Sequence, residues 1–243
     1  NHHFMLRLLG EAFGTSQYVI PDLPDTSVVI AAENLEQIRF ENVVRAYMAK
    51  SSTSTSLYQH FMAGERVFCG HVLPDDLISN GRLPYVMDTP STKSDEHDES
   101  VHPEFLFASG VCTPGEYAQI RNVSLFAFGM VSHFLAQKGL IAVDTKTEHG
   151  RNSKGQIVVQ DEIWTMDSSR FWLTDDYNAQ LSALARGEIE ELRPRSFSKE
   201  FARGFSRGTE GYTDEQRVQI AVRYIMGIQR LLGQEFHPDM RPR

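Results

Sequence analysis

The segment from residue 113 to residue 164 restricts the possible folds most strongly. It opens with TPGE at 113–116, a capping box with proline at the first helical position, which predicts a helix ending near Lys138, with Gly139 as its stop. The apolar stripe of this helix comprises Ile120, Val123, Ala127, Val131 and Phe134. The residues that follow, "LIAVDTKTEH", "GRNSKG" and "QIVVQDEIW", predict a strand, a turn and a second strand. We therefore expect an α+β fold in which helices pack on an antiparallel sheet.

Two later segments also predict helices. Thr213 and Gln216 form a second capping box, and Gly233 marks the end of the helix that follows. Its predicted apolar face consists of Val218, Ala221, Val222, Ile225 and Leu232. In "SFSKEFARGF" the aromatic residues Phe197, Phe201 and Phe205 recur every four positions, which predicts the buried side of a helix. Lys199 and Arg203 have the same spacing on another face, where spacing alone favours a solvated surface.

The composition excludes some classes of function. The 243 residues carry a formal net charge of −8, which argues against nonspecific nucleic-acid binding. The sequence has neither an apolar run long enough to span a bilayer nor a signal peptide with a cleavage site. Cys69 and Cys112 form no CxxC pair and are expected to be reduced thiols. We expect a cytoplasmic protein without nucleic-acid or membrane partners.

Charged residues alternate at the exit of the first hairpin strand. Asp144, Lys146 and Glu148 occupy every second position, so their side chains share one face of the strand. Asp161 lies on the other strand, where it could meet Glu148 across the pair. Two close carboxylates need a cation or a shared proton, and Mg²⁺ with a nucleotide suits them. Lys146 beside them would suit a phosphate; the alternative is a surface hairpin with alternating ions.

Five sequence blocks in order carry a family resemblance. "GLIAVDTKTEHG" with the following "DE" and "DSSRFW" resembles the SAICAR synthase (phosphoribosylaminoimidazole-succinocarboxamide synthase) pattern. The blocks "FENVVRAYMAKS", "FCGHVLPDDL", "DTPSTKSDEHDE" and "SFSKEFAR" are similar to further segments of that family. Together they extend from about Phe40 to Arg203. Any one block alone would be weak, whereas five in the same order are specific.

The resemblance implies an ATP-dependent ligase of de novo purine biosynthesis. In this family ATP phosphorylates the carboxylate of the ribotide CAIR, and the amine of L-aspartate then attacks the acyl phosphate to give SAICAR. Two alternatives remain. One is a catalytically impaired relative that binds a phosphorylated metabolite, and the other is a related amide ligase with a different carboxylate and amine. The resemblance leaves open whether the chain forms a homo-oligomer.

The resemblance also implies roles for individual residues. Glu148 and Asp161 match the magnesium carboxylates that hold the nucleotide. Lys146 matches the catalytic group that steadies the transferring phosphoryl, and Asp144 matches a catalytic residue at the aminoimidazole end of CAIR. The residues implied to grip the CAIR phosphate are Arg45, Ser51, Arg170 and Arg203, with Lys199 and Ser169 nearby. Lys93 and Asp98 are candidates for the aspartate site, with a merely solvated loop as the alternative.

The sequence departs from the family pattern in several places. Thr147 and His149 replace aromatic residues on the face opposite the ions, and this opposite direction disfavours a zinc site at His149. Lys50 and Ala46 replace glycines, and Lys50 could either strengthen phosphate binding or block close approach. The motifs of the family's ATP-covering front lobe do not occur, and "NHHF" resembles the segment after that lobe. We therefore expect residues 1–243 to form one SAICAR synthase-like domain that starts part-way through the family pattern.

Overall fold

The computed structural model describes residues 2–9, 14–18, 31–94, 97–205, 211–235 and 237. The helices are α1 (His2–Leu9), α2 (Leu57–Met62), α3 (Pro103–Ala108), α4 (Pro114–Gln137), α5 (Thr174–Ala185), α6 (Glu200–Arg203) and α7 (Asp214–Leu232). The strands are β1 (Gln17–Tyr18), β2 (Ala31–Ala32), β3 (Glu36–Tyr47), β4 (Val67–Phe68), β5 (His71–Val72), β6 (Arg82–Thr92), β7 (Leu140–Arg151), β8 (Ile157–Gln160), β9 (Ser169–Leu173) and β10 (Ser196–Phe197).

A six-stranded antiparallel sheet forms the centre of the molecule. Its strand order is β10-β9-β7-β3-β6, and β8 pairs with the outer part of β7. Strands β1 and β2 form one small separate sheet, and β4 and β5 form another. The predicted α+β class with an antiparallel sheet is confirmed. The longest strands, β3 and β7, are adjacent at the centre of the sheet, where neighbouring strands can fix their side chains precisely in register.

The helix predicted from the capping box is confirmed. The Thr113 amide donates to Glu116 Oε2 (2.8 Å) and the Glu116 amide donates to Thr113 Oγ1 (3.2 Å), so both capping bonds form. Gly139 adopts the left-handed φ of +68° that the stop required. Ile120, Ala127 and Val131 are buried where α4 packs against β7 and β3. This packing covers one face of the sheet and leaves the other for polar side chains.

The predicted hairpin forms, but its second strand is shorter than expected. Strand β7 continues to Arg151, and the turn is closed at Asn152, whose side-chain oxygen accepts from the amides of Lys154 and Gln156. Strand β8 ends at Gln160 because Asp161 takes a left-handed φ of +60°, which breaks the pairing. The expected strand beyond Asp161 is therefore wrong; the chain turns instead and places Trp164 in the core.

The helix predicted from the spacing of Phe197, Phe201 and Phe205 forms only in part. Phe197 lies in strand β10, opposite Phe171 of β9, and only Glu200–Arg203 is helical. Phe201 and Phe205 pack edge to face with ring centroids 5.2 Å apart. Pairing with the sheet edge has overridden the four-residue spacing at Phe197.

The C-terminal helix is confirmed in its limits but not in its buried face. Thr213 caps α7 and Gly233 ends it at φ +66°. Val218 and Val222, which belong to the predicted apolar face, are 61% and 49% exposed. The helix instead approaches Met166 and Phe197 of strand β10 through Gly227, where an added Cβ would overlap with the Met166 side chain. A close backbone contact, invisible to apolar periodicity, sets the orientation of this helix.

Two further predictions concern the cysteines and membrane-spanning segments. Cys69 and Cys112 are both free thiols, as predicted. Within the described ranges, every helix is too short or too polar to cross a membrane. Of the "NHHF" segment, Asn1 lies outside the described residues and the rest belongs to α1.

Candidate active site

One row of charges crosses three neighbouring strands. Arg45 of β3 lies opposite Asp144 of β7, and Asp144 lies opposite Arg170 of β9. Asp144 Oδ2 is 3.1 Å from Arg170 Nη2 and 3.6 Å from Arg45 Nη1. Asp144 is only 7% exposed, so the two guanidinium groups compensate its buried charge. These ion pairs hold the guanidinium groups of Arg45 and Arg170 against the sheet.

Further contacts hold the two arginines in place. Arg45 Nε donates to Thr89 Oγ1 (2.9 Å), and its Nη2 donates to the Thr55 carbonyl (3.3 Å). Arg170 Nη1 donates to the Lys50 carbonyl (2.9 Å). Burial lowers the pKa of Arg45, with the Asp144 charge opposing that shift. Because each fork is held by more than one acceptor, both are preorganised.

A second row lies farther along β3 and β7 and is built around Lys146. Glu41 and Glu148 are directly opposite each other across the two strands. Lys146 Nζ donates to Glu41 Oε1 (2.8 Å) and to Glu148 Oε1 (2.7 Å). Lys93, just beyond β6, binds the other oxygen of Glu148. Lysines and carboxylates thus alternate in one half-buried chain of ion pairs, and charge balance lets this face bury four ions.

Burial and pairing set the protonation of this row. Burial acts to raise the pKa of Glu148, but hydrogen bonds from Lys146 and Lys93 outweigh it and lower the pKa to about 2. Burial acts to lower the pKa of Lys146, and its two carboxylate partners overcome this and raise it. At Glu41 burial dominates and raises the pKa. Lys146 therefore remains an ammonium group at neutral pH.

Both rows border a cavity of about 310 Å³. The predicted site residues that line it are Arg45, Ser51, Asp98, Asp144, Lys146, Ser169, Arg170, Lys199 and Arg203. They come from five separate segments of the chain. Lys199 and Arg203 therefore face the cavity, which the spacing argument for a plain solvated face did not anticipate. The structure brings together the residues that the family pattern associated with one anionic ligand.

Lys93 and Asp98 lie on the loop that follows β6. The Lys93 amide donates to the Arg39 carbonyl (3.2 Å), and its ammonium group meets Glu148. Asp98 Oδ1 accepts from the Ser94 amide (3.0 Å) while Asp98 lines the cavity. Asp98 therefore borders the cavity, and Lys93 is linked to the cavity residue Lys146 through Glu148.

Asp161 does not lie where the hairpin predicted. The residue opposite Glu148 is Gln160, so the expected pairing of Glu148 with Asp161 is wrong. The left-handed backbone turns Asp161 out of the ladder, and its side chain is exposed while Glu148 is 3% exposed. A cation shared by these two carboxylates stays a prediction. The carboxylate that does face Glu148 is Glu41.

Sequence reasoning missed Glu41. Its position was visible, because Glu41, Val43 and Arg45 alternate along one strand as Asp144, Lys146 and Glu148 do. What the sequence lacked was the pairing of β3 with β7, which places the two sets side by side.

The residues that depart from the family pattern lie at the edge of the site and behind the sheet. The Lys50 ammonium group pairs with Glu191 (2.7 Å), and it is the Lys50 carbonyl that supports Arg170. Thr147 and His149 lie behind the sheet, as the alternation predicted. Burial lowers the pKa of His149 to about 4. The packing behind the site differs from the family pattern, while the ionic face is retained.

This combination of arginine forks and a lysine between carboxylates is suited to an enzyme that transfers charged groups between small anionic molecules. Comparison with known proteins makes the class specific. A sequence model of the SAICAR synthetase family matches residues 2–219. Phosphoribosylaminoimidazole-succinocarboxamide synthase of Legionella pneumophila (strain Paris) is 35% identical over 243 residues, covering 95% of this chain and 75% of its own. The chloroplastic enzyme of Arabidopsis thaliana is 38% identical over 211 residues, covering 84% of this chain and 48% of its own. The chain belongs to the SAICAR synthetase family, a family of ligases.

Solved structures of that family share the fold. SAICAR-synthase from Saccharomyces cerevisiae complexed with SAICAR superposes with a TM-score of 0.73 at 21% identity, covering 97% of this chain and 80% of its own. A SAICAR synthetase (Type-2) in complex with ADP gives a TM-score of 0.69 at 21% identity, covering 97% and 79%. At this identity the structural likeness establishes the architecture alone.

Proposed function

We propose that this protein is an ATP-dependent ligase that joins L-aspartate to the carboxylate of CAIR and forms SAICAR. The observation that carries the proposal is the placement of Lys146 between Glu41 and Glu148, next to the Arg45–Asp144–Arg170 row, on one cavity wall. Family membership supports the reaction class, and the site supplies groups suited to it. The predicted partners are small molecules, and the predicted location is the cytoplasm.

The chemistry explains why such a face is needed. A carboxylate is a poor electrophile because its leaving group would be oxide. Transfer of the γ-phosphoryl of ATP to a carboxylate oxygen releases ADP and gives an acyl phosphate. The amine of aspartate then attacks the acyl carbon, the carbon–oxygen bond to phosphate breaks, and the nitrogen loses a proton. The protein contributes positioning and charge stabilisation.

Each row has a proposed task in that reaction. Arg45, Arg170 and Arg203 present guanidinium forks suited to the 5′-phosphate of the ribotide, with Ser51, Ser169 and Lys199 beside them. Asp144 orients two of these forks and contacts the aminoimidazole end. Lys146 stabilises the phosphoryl group in transit, because its two carboxylates keep it charged and fixed. Asp98 and Lys93 serve the amino-acid side.

Magnesium is the proposed companion of the nucleotide. Mg²⁺ is a hard cation that usually takes one or two carboxylates and completes its shell with phosphates and water. Among the described residues there is no cluster of three or more His, Cys, Asp or Glu side chains that could hold a metal. Glu148 nevertheless has carboxylate oxygens next to Lys146, which lines the cavity, and a carboxylate donor of this kind fits Mg²⁺ carried by ATP. Glu148 and Asp161 would hold the ion, which would neutralise phosphate charge during transfer.

We also propose that residues 1–243 form one SAICAR synthase-like domain. A single sheet contains strands between Glu36 and Phe197, and the site residues lie on these strands or on the segments that follow them. Helix α7 packs on β10 and α6, which joins the C-terminal segment to the same core.

The direct test is an assay with purified protein, MgATP, CAIR and L-aspartate, leaving out each component in turn. SAICAR and ADP should form in equal amounts only in the complete mixture. Arg170→Lys should raise the KM for CAIR about tenfold or more, since a lysine loses the fork that binds Asp144 and phosphate together. An enzyme that makes ADP without SAICAR, or an Arg170→Lys variant with unchanged kinetics, would contradict the proposal.

A further inference from the structure

We infer that Lys93 is a built-in counter-ion for Glu148, which a divalent cation displaces. The inference rests on the proposed function. Glu148 is 3% exposed and both of its oxygens already have partners: Oε1 binds Lys146 and Oε2 binds Lys93. A cation that binds Glu148 Oε2 would therefore share this oxygen with the Lys93 ammonium group, and one that binds Oε1 would share it with Lys146.

Of the two lysines, Lys93 is the one that can leave. Lys146 belongs to the central strand β7 and is held by two carboxylates, Glu41 and Glu148. Lys93 follows the last residue of the edge strand β6, its side chain is 36% exposed, and Glu148 is its carboxylate partner in the described part of the chain. Its departure costs one ion pair and exposes no buried charge, because the ammonium group moves toward water.

Charge balance favours the exchange. Lys93, Lys146, Glu41 and Glu148 together are neutral. A divalent cation added to this set would raise its charge to +2 in a half-buried place, with an ammonium group on the same carboxylate. Releasing Lys93 removes that repulsion and lowers the local charge to +1, which incoming phosphates can balance.

The first experiment measures Mn²⁺ and Mg²⁺ binding to the full chain by calorimetry, without nucleotide. Lys93→Met should bind the metal about tenfold more tightly than the wild type, since no ion pair has to be broken. Lys93→Arg keeps the pair and should bind as the wild type does. The matched control is Lys154→Met, which removes an exposed lysine from the β7–β8 turn. Equal or weaker metal binding by Lys93→Met would overturn the inference.

A second experiment follows the lysine itself by limited trypsin digestion. Cleavage after Lys93 should become several-fold faster when Mg²⁺ is added, because the side chain leaves Glu148. Cleavage after Lys154 in the same sample is the internal reference and should not change. If Mg²⁺ leaves the rate of cleavage after Lys93 unchanged, the inference is wrong.

Glu148→Gln separates this inference from the proposed function. If that variant binds metal as well as the wild type, the metal assignment at Glu148 is wrong and the exchange fails with it. If Glu148 is required but Lys93→Met changes neither affinity nor digestion, only the role of Lys93 is wrong. SAICAR formation by the wild type would then still support the ligase.

Discussion

The two faces of the central strands bury polar groups in opposite ways. On the front face, formed by the two charged rows, Lys146 and Asp144 each have two oppositely charged partners within reach. On the rear face, beneath α4, the buried groups are Asn42, Thr147 and His149. Within the described residues, both side-chain polar atoms of Asn42 and the Nε2 of His149 have no hydrogen-bond partner.

The difference shows what each face is suited to do. Charges can be buried on the front because each is compensated, and the compensation also fixes their positions for chemistry. On the rear face, the unpaired buried atoms of Asn42 and His149 lower stability, because no hydrogen bond compensates the loss of their hydration. Strand β7 therefore has functional charged groups on its front face and, at His149, an unpaired polar group that lowers stability on its rear face.

The largest expected effect comes from removing the centre of the front face. Lys146→Met should reduce kcat by about 10²–10³-fold, the range typical for loss of one preorganised electrostatic group. It would leave Glu41 and Glu148 facing each other without their shared cation. Initial rates of SAICAR formation measure the effect.

Lys146→Arg and Lys154→Met separate charge from position. Lys146→Arg restores a cation between the carboxylates and should recover stability in urea unfolding without recovering the rate. Lys154→Met should match the wild type in both measurements. A Lys146→Met enzyme with nearly normal kcat would show that the front face is only structural.

On the rear face the expected effect is a pH-dependent loss of stability. Burial lowers the pKa of His149 to about 4, and the nearby Glu148 charge offsets this only in part. The unfolded chain binds a proton near pH 6.5 and the folded chain does not, so stability falls as the pH decreases from about 6.5 toward 4. From pH 7 to pH 5 the loss attributable to His149 should be about 2 kcal/mol.

Urea unfolding at the two pH values, with two variants, tests this. His149→Phe should lose about 2 kcal/mol less than the wild type between pH 7 and pH 5. His133→Gln, which changes an exposed histidine on α4, should lose as much as the wild type. Equal losses in wild type and His149→Phe would mean that His149 is accessible to protons in the folded state.

The smallest effect is expected where the front face meets the surface. In the pair of Lys50 with Glu191 the lysine side chain is 53% exposed, and such surface pairs contribute less than about 1 kcal/mol. Lys50→Ala should therefore lower stability only slightly and keep the KM for CAIR within about threefold, because the Lys50 carbonyl that supports Arg170 is retained. Glu191→Gln should likewise lower stability only slightly and keep the KM for CAIR within about threefold. A KM change of tenfold or more in Lys50→Ala alone would show that its ammonium group contacts the ribotide phosphate.

Part of this protein could be predicted from local sequence. The capping boxes at Thr113 and Thr213 specified two helix starts, because the donors and acceptors that close them lie three residues apart. The alternation of Asp144, Lys146 and Glu148 specified one functional face, because side-chain direction in a strand follows position alone. The family blocks supplied most of the residues that line the cavity.

The rest was decided by contacts between distant segments. The residue opposite Glu148 on the neighbouring strand is Glu41, because strand pairing joins positions more than a hundred residues apart, and no local pattern contains the register. Phe197 became a strand residue by pairing with Phe171, and α7 turned Val218 and Val222 outward because Gly227 allowed a close approach to Met166. The sequence by itself determined which side chains point together along each element. Only the tertiary structure decided which elements meet, because pairing and packing energies depend on neighbours that local sequence does not encode.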